Sequence, residues 1–104
     1  MTYLFSYNYE TGEISPKIEE QTEQILINIA KALEDAGSSI ADVVRVRYIL
    51  PDGKDFPQTW PVLKKWFGEV RPAATMVQAT LMKEEMKIEI EATAKKGCGK
   101  AAAA

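Results

Sequence analysis

The chain has 104 residues, 46% of them hydrophobic, with 13 basic and 15 acidic side chains and a formal net charge of −2, which fits one small domain with no electrostatic footprint for a nucleic-acid backbone. No apolar run approaches the roughly 20 residues that span a bilayer. Residues 1–9 lack the basic start and long apolar segment of a signal peptide, and a single cysteine, Cys98, allows no intrachain disulfide and fits a reducing compartment, so a cytoplasmic location is expected.

Residues 2–9 alternate, with Tyr3, Phe5, Tyr7 and Tyr9 on one face, and read as a strand. Glu10-Thr11-Gly12-Glu13 is a turn in which Gly12 is free to take positive φ. Ser15-Pro16 opens a helix, serine as N-cap and proline at the first helical position. Ile18, Thr22, Ile25, Ile29, Leu33 and Ala36 then recur at three- and four-residue steps. Glu19, Glu20, Glu23, Lys31, Glu34 and Asp35 fill the wet side, and Gly37 stops a helix of about 21 residues.

After a short connection, the β-branched run 43–50 reads as a strand with Arg45 and Arg47 on one face and Val44, Val46 and Tyr48 on the other. Pro51-Asp52-Gly53 turns the chain. Asp55, with Gln58 three residues on, suits a capping box, and Phe56, Trp60, Leu63, Trp66 and Phe67 make an apolar stripe that Gly68 ends. Pro57 fits the opening turn, whereas Pro61 removes a hydrogen bond and is expected to kink or delay the helix. Residues 73–82 and 86–94 are expected to form a final hairpin across Lys83-Glu84-Glu85. In its second strand Met86, Ile88, Ile90 and Ala92 point one way and Lys87, Glu89, Glu91 and Thr93 the other, a dry face and a carboxylate-rich wet one. The order β, α, β, α, β, β gives an α+β class with two helices covering one face of a mixed sheet. Residues 1–94 read as one domain, and 95–104, aperiodic and ending in four alanines, as a mobile tail in which Cys98 is an inert thiol.

No histidine is present, which removes Ser-His, Cys-His and His-metal chemistry together. Acid–base work must then come from carboxylate, lysine, tyrosine, backbone or water. No metal or other cofactor is expected.

From Tyr9 through Thr93 the wording resembles the YjgF/RidA family: the Glu10-Thr11-Gly12-Glu13-Ile14 turn before the long helix, Gly37, Asp42-Val43-Val44, Asp55-Phe56, Trp66-Phe67, Arg71-Pro72-Ala73, and the Lys87-Ile88-Glu89-Ile90-Glu91-Ala92 strand. The resemblance implies a chorismate-mutase-like fold and a homotrimer with ligand clefts at the subunit interfaces, in a family that includes hydrolases of reactive imines. It also marks departures. Thr2-Tyr3-Leu4 stands where a Ser-Gly strand is expected, so the start reads as truncated or rewritten. Ala74 occupies the position of the arginine that holds the substrate carboxylate. Arg71 lies three residues earlier, on the opposite face of a regular strand and about 10 Å away.

Glu89 matches the family's acidic residue, which orients the attacking water; its plain alternative is a wet-face carboxylate that, with Glu91, pairs across the sheet with Arg45 or Arg47. Met76 replaces a frequent cysteine, and Trp60 stands near a polar cleft position; both residue types are more often core. Together Ala74, Met76 and Trp60 suggest a cleft for a neutral or apolar small molecule, with the backbone N–H groups of Ala74 and Thr75 free to hold an oxygen. Two readings follow. One is a divergent enzyme that hydrolyses an imine, enamine or related C=N compound with Glu89-activated water. The other is a non-catalytic homotrimer that binds a small ligand or a protein partner. No nucleic acid or membrane partner is expected.

Overall fold

A computed structural model describes residues 2–4, 14–82 and 84–97. The remainder of the expected first strand, the turn at 10–13 and the tail from Cys98 lie outside the described residues. Six elements follow one another: β1 (Thr2–Leu4), α1 (Ile18–Asp35), β2 (Val43–Leu50), α2 (Trp60–Phe67), β3 (Ala73–Gln78) and β4 (Glu89–Ala94). The strands form one mixed sheet in the order β1-β4-β2-β3, and both helices pack on one face of it, as the α+β reading requires.

The long helix forms because its apolar side chains repeat at helical spacing. Ile18, Ile25, Leu26, Ile29 and Leu33 are buried against Val46, Tyr48, Leu50, Ile88, Ile90 and Ala92 of the sheet side. At about 25 cal/mol per Å² of apolar surface, this burial is the main term favouring the fold. Ala36, expected on the buried stripe, is exposed beyond the helix end. Gly37 takes φ +79°. The amide of Ser38 donates to Leu33 O at 2.8 Å and that of Gly37 to Glu34 O at 2.9 Å, the paired bonds of a Schellman stop. At the other end the N-cap is Lys17, not Ser15. Ser15 stays outside the helix, its hydroxyl accepting from the Lys17 amide at 3.2 Å and donating to the Glu20 carboxylate, and the helix is 18 residues long.

Strand β2 has the expected bounds, but Val44 is not on its dry face. A register irregularity between Val43 and Arg45 against β4 buries Val43 and Val46 at 3% and 0% exposure and leaves Val44 at 37%. An extra residue in one strand breaks the period-two alternation at that point.

The second helix is delayed, as expected of Pro61, while Pro57 lies in a 3-10 stretch and not in the helix's opening turn. Residues Gly53–Thr59 form a 3-10 stretch containing Pro57, and the α-helix starts only at Trp60 with Pro61 in its first turn. The cap is Asp52, whose carboxylate accepts from the Lys54 amide at 3.0 Å; Asp55 instead accepts from the side chain of Gln58 at 3.2 Å. Leu63 and Phe67 are buried, Trp66 and Phe56 partly, while Trp60 leaves the stripe for solvent.

The expected hairpin of the last two strands does not form. β3 runs parallel to β2, with Tyr48 opposite Met76, and β4 runs antiparallel on β2's other side, with Tyr48 opposite Ile90. The crossover through α2 returns the chain parallel to β2, so β3 takes one edge of that strand and residues 79–88 carry the chain to the other. Alternation alone fits either neighbour, which is why the sequence suggested the nearer one.

The helices are clamped by Glu23. Its carboxylate accepts from Lys65 Nζ at 2.9 Å and from Trp66 Nε1 at 2.8 Å. The Lys65 bond, then the Trp66 bond and the Lys65 charge, hold the Glu23 carboxyl below its ordinary value. A depressed carboxyl contributes stability above its unfolded pKa and loses it as pH falls through the folded one. Glu23→Gln should therefore cost about 0.5–1 kcal/mol at neutral pH, as for a partly exposed pair. Urea melts at pH 7 and pH 3 should show the difference vanish at the lower pH.

Candidate functional site

Strand alternation sorts the sequence-predicted residues onto two faces. Ala74 is opposite Val46 and Met76 opposite Tyr48, so both lie on the helix side of the sheet. Trp60, at the start of α2, is on the same side of the sheet. A file of rings leads to it: Tyr48 to Phe56 at 5.2 Å between centroids, then Phe56 to Trp60 at 6.2 Å, edge to face. At its outer end Trp60 is 56% exposed and Met76 41%. Phe56 and Tyr48 were not singled out for this role, although the four-residue step from Phe56 to Trp60 carries the signal. Beside them the Gly53 amide donates to the Gln78 side chain at 2.9 Å, tying the end of β3 to the 3-10 stretch.

Thr75 and Glu89 face the other way. Thr75 is opposite Arg47, and Glu89 is opposite Ile49, on the side of the sheet away from the helices. Glu91 shares this face and bonds Arg47 at 2.6 Å, the cross-strand pair expected for a wet-face carboxylate. Glu89 does not behave as a wet-face residue. It is 4% exposed, between Ile88 and Ile90, which enter the core from the opposite face. β3 is an outer strand of the sheet and every one of its residues is exposed; because successive backbone groups alternate in direction, only one of Ala74 and Thr75 can turn its N–H away from β2. β3 and β4 flank β2, roughly 10 Å apart at two strand spacings. Within one chain, therefore, the Trp60, Ala74 and Met76 group and the Glu89 carboxyl are separated by the sheet itself.

Arg71 is not on a strand. It sits in the left-handed region at φ 51°, with its amide bonded to Phe67 O at 3.0 Å, in the turn before β3. The reason for discounting it thus changes from strand parity to a turn that ends before the sheet begins. A cavity of about 310 Å³ opens elsewhere, where Pro51 meets Thr80, Leu81, Met82, Glu84 and Met86; none of the sequence-predicted residues lines it.

Tyr48 is 5% exposed, and burial pushes its phenol up to about 12. The neutral phenol is favoured in the fold, so stability is retained below pH 10 and lost as pH rises from 10 to 12. Tyrosine absorbance should show a late ionisation in this range that Tyr48→Phe removes. The alkaline loss of stability should shrink in Tyr48→Phe, compared with the parent by denaturant melts at pH 9 and pH 11.5.

Comparison with known proteins agrees with the fold. The profile of the family described as Endoribonuclease L-PSP matches residues 5–96. A RutC family protein of Pyrococcus abyssi is 42% identical over 88 residues, covering 84% of this chain and 69% of its own. The chloroplastic Reactive Intermediate Deaminase A of Arabidopsis thaliana is 35% identical over 86 residues, covering 82% of this chain and 46% of its own. Among solved structures, Escherichia coli TdcF with bound serine superimposes with a TM-score of 0.83 at 27% identity, over 92% of this chain and 78% of that one. The chain belongs to the Endoribonuclease L-PSP family, the same YjgF/RidA group whose wording its last strands carry.

Proposed function

We propose that this protein hydrolyses a small imine or enamine, with Glu89 activating the water, in clefts formed between copies of the chain. The observation that carries the reading is the burial of Glu89. It lies on the face where Glu91 bonds Arg47, yet at 4% exposure its carboxyl is held away from bulk water, as a group that must take a proton from one bound water requires.

In the reaction, Glu89 accepts a proton from water as the oxygen bonds to the imine carbon and the C=N π electrons move to nitrogen. Glu89 returns that proton to the nitrogen, giving a neutral carbinolamine; it then accepts the hydroxyl proton as the carbonyl forms and the C–N bond breaks, and passes it to the departing nitrogen, which leaves as ammonia. Imine plus water gives carbonyl plus ammonia, with no redox change. The deaminase names of the relatives in Arabidopsis thaliana and Escherichia coli point to the same chemistry.

An assembly of copies follows from the same reading, and the family resemblance makes it a homotrimer. The Trp60, Ala74 and Met76 group and the Glu89 face can share one ligand only if they come from different copies, because the sheet divides them within one chain. The exposed apolar side chains along this route, Trp60, Met76, Val77 and Val44, supply surface for such contacts. The cleft offers an aromatic and a thioether where the family's clamp would place a guanidinium, so the preferred substrate is a neutral or weakly polar imine. Ammonia release from freshly generated 2-aminoacrylate, 2-iminobutanoate and an uncharged imine tests the reading. Activity highest on the uncharged imine supports it, and no release from any of the three overturns it. In that case a ligand-binding trimer without chemistry remains, recognisable by ligand-dependent gains in melting temperature.

A further inference from the structure

Gln21 is wholly buried, with 0% of its surface exposed, in the first turn of α1. Its Nε2 donates to Ser15 O at 2.8 Å and to Glu85 O at 2.7 Å, and its Oε1 accepts from the Lys87 amide at 2.8 Å. Both amide hydrogens and one oxygen lone pair are thus in use. A buried amide costs free energy unless it is bonded in this way, and an apolar side chain would fill the same place in the helix stripe. The polar choice makes sense through what it grips.

That grip falls on the segment entering β4. Glu85 and Lys87 bracket Met86, which is 3% exposed, and lie outside strand pairing. Lys87 is two residues before Glu89, on the same side of the chain by strand alternation. Holding the Lys87 amide and the Glu85 carbonyl from one rigid helix turn fixes the height and twist at which β4 starts. That in turn fixes where the Glu89 carboxyl points. A side chain free to rotate would leave this entry to the ten-residue connection from β3.

We propose that Gln21 is a positioning residue: through its bonds to Glu85 and Lys87 it sets the carboxylate of Glu89 in place. The catalytic consequence rests on the role of Glu89 proposed above, but the geometric claim does not.

The experiment compares the parent, Gln21→Met and Gln21→Glu. Met keeps the volume and loses all three bonds, while Glu keeps an acceptor for the Lys87 amide. Three readouts are taken: amide hydrogen exchange, the carboxyl-carbon NMR titration of Glu89, and turnover. Gln21→Met should speed exchange at 87–90 about tenfold more than at 46–50 and should move the Glu89 titration. Misplacement of about 1 Å should cut kcat ten- to a hundredfold with KM nearly unchanged. Gln21→Glu should recover part of each, and it carries the test if Gln21→Met does not fold. Exchange rising evenly over the sheet with an unmoved Glu89 titration would make Gln21 merely structural and overturn the proposal. Local exchange and titration changes in a protein whose parent turns over no imine would uphold the positioning and refute the catalytic reading instead.

Discussion

Glu89→Gln is expected to lower ammonia release by about 10²–10⁴-fold, the usual worth of a positioned general base, without lowering stability. Glutamine has nearly the same shape and still accepts and donates hydrogen bonds, but its amide cannot take a proton from water at neutral pH. The near-isosteric change should leave the melting temperature about level. Turnover, thermal melts and sedimentation together give the result. Loss of turnover in a protein of unchanged melting temperature and size fits the water-activating role. Turnover equal to the parent's refutes it.

The second large effect is expected from Ala74→Arg. Ala74 is exposed on the outermost strand, so a guanidinium can be accommodated there without repacking the core. It would share a face of β3 with Met76 and supply the two parallel donors that bind a carboxylate best. A charge-assisted pair contributes roughly 1.5–3 kcal/mol, so kcat/KM for 2-iminobutanoate should rise about ten- to a hundredfold. The uncharged imine should gain nothing. Equal gains on both would mean that the arginine acts on folding or assembly, and no gain on either would mean that position 74 does not face the substrate.

The parts of the structure that were legible from sequence are those decided locally. The stripe from Ile18 to Leu33 and the stop at Gly37 read directly, because helical spacing and a left-handed cap belong to neighbouring residues. The bounds of β2 and the delay at Pro61 were readable for the same reason. What failed depends on residues far apart in the chain. Whether 73–78 pairs with 86–94 or with 43–50 is decided by the crossover through α2, not by either strand's own pattern. The displacement of Val44 comes from a register irregularity against β4, which β2 alone does not announce. The site divides similarly. Alternation placed Glu89 and Glu91 together on a wet face, and Glu91 does meet Arg47 there. The burial of Glu89 could not be read, because alternation assigns a side chain to a face and says nothing of its depth. The grip of Gln21 on Glu85 and Lys87 spans 64 and 66 positions and leaves no periodic trace.

The strand order carries a consequence for synthesis. β4 is the last strand made, yet it lies between β1 and β2, with Thr2 opposite Ala92 and Val46 opposite the same residue. At roughly 5–20 residues per second, β1 leaves the ribosome on the order of ten seconds before its neighbour exists. Meanwhile one side of β2 and both sides of β1 stay open to other chains. The long helix can form early, but it has half a floor to pack on. Closure of this domain is timed by the arrival of its final strand.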